Sequence, residues 1–252
     1  MAKHFFREWM DRQQPEPKLP DFVVMREKKG ATEAVRAALR SAALDHLVGL
    51  ALIERMGDLP ETAAFIRNKI PTGTRTRSGD LGEILASEYI DQCTEFTVPI
   101  KRLRWKDDRE TTMRGNDVIA LCKRSEHFAI LKAESKSRAT LGESVITEAI
   151  EGLEKHSGRP NPSSLAFISA RLREQARDAE AAIFEGLQRR PPRKGALEHL
   201  VFTFSGNDAA AHLRKHAQVK RGAIRRHVVG CVVERHQDFI KATFEDLDAT
   251  AR

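Results

Sequence analysis

Asp117, Glu134 and Lys136 are the side chains whose types and spacing suit phosphodiester chemistry. Asp117 opens the apolar run Val118–Ile119–Ala120–Leu121, and Glu134–Ser135–Lys136 closes the run that begins at Ile130. Successive side chains of a strand alternate between faces, so Glu134 and Lys136 point the same way, leaving the Ser135 carbonyl beside them. A hairpin through Arg124–Ser125–Glu126 brings Asp117 to the Glu134 end of the neighbouring strand. Carboxylates and a main-chain carbonyl are hard oxygen ligands suited to Mg²⁺ or Mn²⁺, which neutralise a phosphate and lower the pKa of a bound water. Lys136 then orients that water or stabilises developing negative charge without binding the ion. Glu83, in a helix upstream with Gly79 and Gly82, is a third candidate carboxylate; the small glycines let that helix approach the sheet. The expected ligand set is therefore Asp117, Glu134, the Ser135 carbonyl and Glu83.

Short motifs arise by chance, and acid-x-Lys occurs three times in this chain. Glu16–Pro17–Lys18 lies in a proline-punctuated stretch and Glu27–Lys28–Lys29 runs into a glycine, so neither has a strand partner carrying an acid. Glu134–Ser135–Lys136 has one. On Gly79-x-x-Gly82-Glu83, Arg114–Gly115–Asn116–Asp117 and Ala133–Glu134–Ser135–Lys136, residues 78–170 resemble the PD-(D/E)XK nuclease superfamily. The resemblance implies an αβββαβ core with the acid and the (D/E)xK on adjacent strands. One residue departs from the pattern: the usual proline before the first acid is Asn116 here. Within the superfamily the same motifs look most like the nuclease subunits of Hachiman anti-phage defence systems, the HamA family. That similarity implies a Mg²⁺- or Mn²⁺-dependent DNase in a heteromeric complex, held inactive by a superfamily 2 helicase partner (HamB) and released when the helicase acts on DNA.

The surrounding periodicities say what must hold these residues. Residues 1–20 carry Pro15, Pro17 and Pro20 and read as a flexible arm, with Phe5, Phe6 and Trp9 available to dock. A short extended piece follows over 21–27. Apolar residues at three- and four-residue spacing predict one long helix over 32–56, N-capped by Thr32, and a second over 61–69. Residues 73–78 read as a basic loop and 80–89 as the helix that carries Glu83. Runs at 96–103, 117–123 and 128–136 predict a three-stranded meander. Beyond it come a helix over 143–155, a strand over 165–170, a helix over 172–187, and strands over 200–204 and 228–233. The order predicts an α/β protein, a mixed sheet flanked by helices, divided into the arm, a helical region over 21–72 and a nuclease-like domain over 73–252.

Composition narrows the setting. With 43 Lys and Arg against 36 Asp and Glu, the chain carries a net charge of +7, which favours polyanionic partners. Arg75, Arg77, Lys101, Arg102, Arg104, Arg114 and Arg138 surround the proposed site in sequence order and predict an electropositive rim for backbone phosphate, without base readout. One Tyr and two Trp supply little for base stacking. Further basic stretches at 189–194 and 214–227 are solvated surface or phosphate contacts. Cys93, Cys122 and Cys231 lack zinc or disulfide spacing, and His212 with His216 lacks a third ligand. Glu143, Glu148 and Glu151 read as the solvated face of their helix. No phosphate-binding GxxxxGK[ST] or GxSxG nucleophile motif is present, so any ATP-driven step belongs to another protein. Without a long apolar run or a secretory leader in its first residues, the chain is expected in the cytoplasm. A different class of molecule fits the same surface: a noncatalytic nucleic-acid-binding or adaptor subunit on a degenerate nuclease fold. An RNA substrate is equally compatible with the sequence.

Overall fold

The computed structural model describes residues 4–57, 60–125, 127–190, 192–193, 195–218 and 224–250. In chain order the elements are α1 (Phe5–Trp9), β1 (Met10–Gln13), β2 (Phe22–Glu27), α2 (Ala31–Leu47), α3 (Leu50–Met56), α4 (Pro60–Lys69) and α5 (Thr74–Cys93). There follow β3 (Val118–Lys123), β4 (Phe128–Arg138), α6 (Glu143–Glu154), α7 (Pro162–Glu174) and α8 (Asp178–Arg189). The chain ends with β5 (Leu197–Ser205), α9 (Ala210–Gln218), β6 (Arg225–Val232) and α10 (His236–Thr250). Six strands form one sheet in the order β1-β2-β6-β5-β4-β3. The inner strands β2, β6, β5 and β4 run parallel, and β1 and β3 pair antiparallel at the two edges. Parallel strands covered on both faces are apolar along their length, and all nine residues of β5 are buried. Helices α1, α2, α5 and α10 cover one face, α6 and α9 the other, and α7 and α8 pack beside β3 and β4. This is the mixed sheet flanked by helices that the pattern of elements predicts.

Several local expectations give way to tertiary structure. The flexible arm does not hold for Phe5–Gln13: Phe5, Phe6 and Trp9 are fully buried, and the Trp9 ring stacks on Phe239 at 5.0 Å. The prolines instead punctuate the link from β1 to β2, and since both strands join the common sheet, the sheet crosses the boundary placed at residue 72. The long helix breaks at Gly49, whose φ of +97° strains any residue with a side chain; an apolar repeat cannot report such a one-residue turn. Gly30 rather than Thr32 caps α2, and the Thr32 hydroxyl bonds Glu27 and accepts from the Trp9 indole.

Three corrections lie close to the site. Helix α5 starts at Thr74, so Arg75 and Arg77 lie on its first turns and not in a loop. The strand expected over 96–103 is reduced to a single bridge, Thr97 to Leu121, before a 3₁₀ turn, Arg102–Trp105. Pro99 cannot donate to a ladder, which explains why pairing stops there. The strand expected over 165–170 is part of α7. Asn161 caps that helix by accepting from the Ser163 N–H, Pro162 starts it, and Leu165, Ile168 and Leu172 form its buried stripe. The helix expected over 172–187 is two, separated at Ala176 with φ +55°. Lys194, Lys220 and Arg221 of the basic stretches lie outside the described residues. No described helix is long and apolar enough to cross a membrane.

Candidate metal-binding and catalytic centre

The register of β3 on β4 pairs Val118 with Ala133 and so sets Asp117 opposite Glu134. Asp117 Oδ2 accepts the Ser135 N–H at 2.8 Å. In an antiparallel strand the N–H and C=O of one residue face the same neighbour, so the Ser135 carbonyl is directed to the edge that carries Asp117. Asn116, where the superfamily pattern has proline, does what proline cannot. Its N–H donates to Ser164 Oγ at 3.0 Å, and its Oδ1 accepts from the Asn161 N–H at 2.7 Å.

Glu134 and Lys136 share the face toward α6, as alternation requires. A Cβ on Gly152 of α6 would lie 3.1 Å from the Glu134 carboxyl carbon, so the glycine is what lets helix and carboxylate meet. Lys132, two residues earlier on the same face, is fully buried and donates to the carbonyls of Gly152, Leu153, Lys155 and Arg159 at 2.8 to 3.2 Å. It ties down the end of α6. Burial pushes the Glu134 carboxyl up to about 7, reinforced by the Asp117 charge and opposed by Lys136 and Lys132. The Lys136 ammonium lies 3.0 Å from Glu148 Oε1, so Glu148 belongs to the site's edge and not only to the solvated face of α6.

On the other face Gly82 of α5 lies against β4, where a Cβ would meet the Ser137 Cβ at 3.0 Å. Glu83 is buried one residue further, and Arg102 donates to both of its oxygens at 2.7 Å while lying 3.3 Å from Asp117 Oδ1. Burial pushes the Glu83 carboxyl up to about 7 against the pull of Arg102. Among the described residues no three His, Cys, Asp or Glu side chains gather closely enough to hold a metal ion. The structure thus brings Asp117, Glu134 and the Ser135 carbonyl together, sets Lys136 beside them, and joins Glu83 to them through Arg102. Two carboxylates and a carbonyl make an all-oxygen donor set of the kind a hard divalent cation takes.

Of the expected basic rim, Arg75, Arg114 and Arg138 are exposed. Arg77 is half-buried, donates to the Pro71 carbonyl and lies over the Phe244 ring. Lys101, Arg102 and Arg104 do not belong to the rim: Lys101 pairs with Asp45 and Glu88, and Arg104 with Asp45. They fall on and before a 3₁₀ turn instead of a strand, so they do not fan over one face. A cavity of about 110 Å³ beside the centre is lined by Arg102, Arg114, Asn116 and Asp117 among others. His212 lies 3.5 Å from Glu143, which also binds Lys215, a surface cluster away from this cavity. Lys132, Gly152 and Ser164 escaped the sequence reading; only Lys132 left a signal there, its place two residues before Glu134.

Fold and centre together define a mixed-sheet α/β protein with two facing carboxylates and a lysine at one end of its sheet. The family model of HamA matches residues 3–247, and the chain belongs to the HamA family. Over 118 residues it is 31% identical to the Hachiman protein HamA of Bacillus cereus, a match that covers 47% of this chain. The chain spans about two fifths of that relative's length, 41%.

Proposed function

We propose that this protein is a divalent-metal-dependent, sequence-nonspecific DNA nuclease of anti-phage defence, held in check by a helicase partner. The observation that carries the reading is the Asp117 carboxylate on the Ser135 N–H, with Glu134 directly opposite and Lys136 on the same face. Asp117, Glu134 and the Ser135 carbonyl would hold the ion, Mg²⁺ or Mn²⁺, which when bound lowers the pKa of a water and neutralises the scissile phosphate. Lys136, which bonds Glu148, would donate to that water or to a non-bridging phosphate oxygen. Exposed Arg75, Arg114 and Arg138 contact backbone phosphates, which positions DNA without reading bases. Membership of the HamA family and the likeness to a Hachiman protein support the defence role and a helicase partner of the HamB kind.

The test is plasmid degradation in Mg²⁺ or Mn²⁺, with and without the helicase partner and ATP. Glu134→Ala and Lys136→Ala abolish cleavage on this reading, and full activity in either overturns it. Thermal stabilisation by Mn²⁺ that disappears in Asp117→Asn separates the nuclease from a noncatalytic DNA-binding subunit, because a ligand of the native site alone raises stability by mass action.

A further inference from the structure

Arg102 spans the gap between the acid of α5 and the acid that opens β3. Its Nε and Nη2 each lie 2.7 Å from a Glu83 oxygen, and Nη2 lies 3.3 Å from Asp117 Oδ1. Nη1 donates to the Arg114 carbonyl at 3.3 Å, which ties the same guanidinium to the loop leading into Asp117. Arg102 and Glu83 side chains are only 11% and 10% exposed, so this is a held group and not a surface ion pair in passing. The two oxygens of Asp117 consequently have different partners: Oδ2 takes the Ser135 N–H, and Oδ1 faces the guanidinium. A cation shared by Glu83 and Asp117 has no room unless Arg102 gives up its bonds to both carboxylates and to the Arg114 carbonyl.

We propose that Arg102 stands in the place of a second metal ion, so that the centre takes one divalent cation, on the Asp117–Glu134 side, and Glu83 is a positioning residue that holds the guanidinium. The inference rests on the metal-dependent reading of the site. Charge agrees with it. Glu83, Asp117 and Glu134 carry three negative charges when ionised, which one divalent ion and one guanidinium neutralise. Lys136 is matched by Glu148, and Lys132 by four carbonyl dipoles. A second divalent ion would leave this enclosed group with an excess of positive charge.

The experiment is Mn²⁺ binding to the full-length chain, by isothermal titration and by electron paramagnetic resonance, which reports spin coupling between paired ions. The expected result is one uncoupled Mn²⁺ per chain, lost in Asp117→Asn and kept in Glu83→Gln. Arg102→Met, which opens the Glu83–Asp117 gap, is expected to bind two coupled ions. Two ions in the wild-type protein overturn the proposal, as does loss of the ion in Glu83→Gln or a single ion in a folded Arg102→Met. If Arg102→Met does not fold, the wild-type count and Glu83→Gln still decide. No Mn²⁺ bound by the wild-type chain overturns the proposal together with the metal-dependent reading, an outcome distinct from a count of two.

Discussion

Gly152 lies against Glu134 so closely that a Cβ on the glycine would come within 3.2 Å of the carboxylate Oε2. Neither backbone is free to retreat. Glu134 is fixed in a strand paired on both sides, and the end of α6 is held by the Lys132 ammonium through four carbonyls.

Gly152→Ala is therefore expected to displace the Glu134 carboxylate without unfolding the protein. Alanine is favoured over glycine inside a helix by about 1 kcal/mol, which offsets the crowding. A small misplacement of a ligating group lowers cleavage by roughly 10- to 100-fold. Plasmid cleavage and melting temperature measured on the same preparation check this. A loss of activity with an unchanged melting temperature is the expected pair.

Lys136 and Glu148 give a smaller effect of the same kind. Glu148 is 62% exposed, so its bond to Lys136 is screened by solvent, and such pairs contribute about 0.2 to 1 kcal/mol. Glu148→Gln is expected to lower cleavage by no more than about fivefold, the rate equivalent of that energy. Lys136→Ala removes the ammonium itself and is expected to abolish it. Initial rates of the two variants distinguish an orienting contact from the group being oriented.

How much of this was legible in the sequence depends on which forces place each residue. The pairing of Asp117 with the Glu134 end of β4 could be read because alternation along a strand is local and because two apolar runs flank a short polar turn. The bridge that replaces a first strand could not be read from apolar content, since Val98 and Ile100 suit a strand and the obstacle is the missing N–H of Pro99. Leu165 to Ala170 has strand-like composition, but the cap and proline just upstream commit it to α7. Arg102 looked like one more rim charge; its partners lie 15 and 19 positions away, and only the folded chain brings them to it. The same holds for Lys132, whose four acceptors are backbone atoms with no signature in residue type.

Asn116 tests whether the departure from proline is neutral. Asn116→Pro removes the N–H that Ser164 accepts and the Oδ1 that the Asn161 N–H uses. Asn116 is buried, and buried groups left without partners cost about 1 to 3 kcal/mol each. The variant is expected to lose roughly 2 to 4 kcal/mol of stability in urea unfolding, and to cleave less because Asp117 follows directly. A Pro variant as stable and active as the wild type would show that these bonds do not hold the aspartate.

His46 gives the protein an acid-sensitive joint between α2 and α5. It is 1% exposed, its Nε2 lies 2.9 Å from Glu88 Oε1, and Lys101 binds the same carboxylate oxygen. Burial pulls the His46 pKa from 6.5 down to about 4, so the folded protein keeps the ring neutral, donating its N–H to the carboxylate. The unfolded chain takes up a proton below pH 6.5 that the folded chain refuses until about pH 4, so stability falls as pH falls through that window. Glu88 acts in the same direction lower down. Burial opposes its ionisation, but His46 and Lys101 prevail and hold it at about 2, so its contribution is lost as pH drops below 4.5. Asp80, Glu83, Asp91 and Glu134 have raised values, bind protons earlier when folded, and work against the trend, so the wild-type profile alone does not isolate the joint. The difference from His46→Gln does, because glutamine keeps an N–H donor and does not titrate. That stability difference is expected to shift toward the variant by roughly 3 kcal/mol between pH 7 and pH 4, at about 1.4 kcal/mol per pKa unit. Urea unfolding of both proteins across the range measures it, and parallel profiles would mean that His46 takes up its proton in the folded chain no later than in the unfolded one.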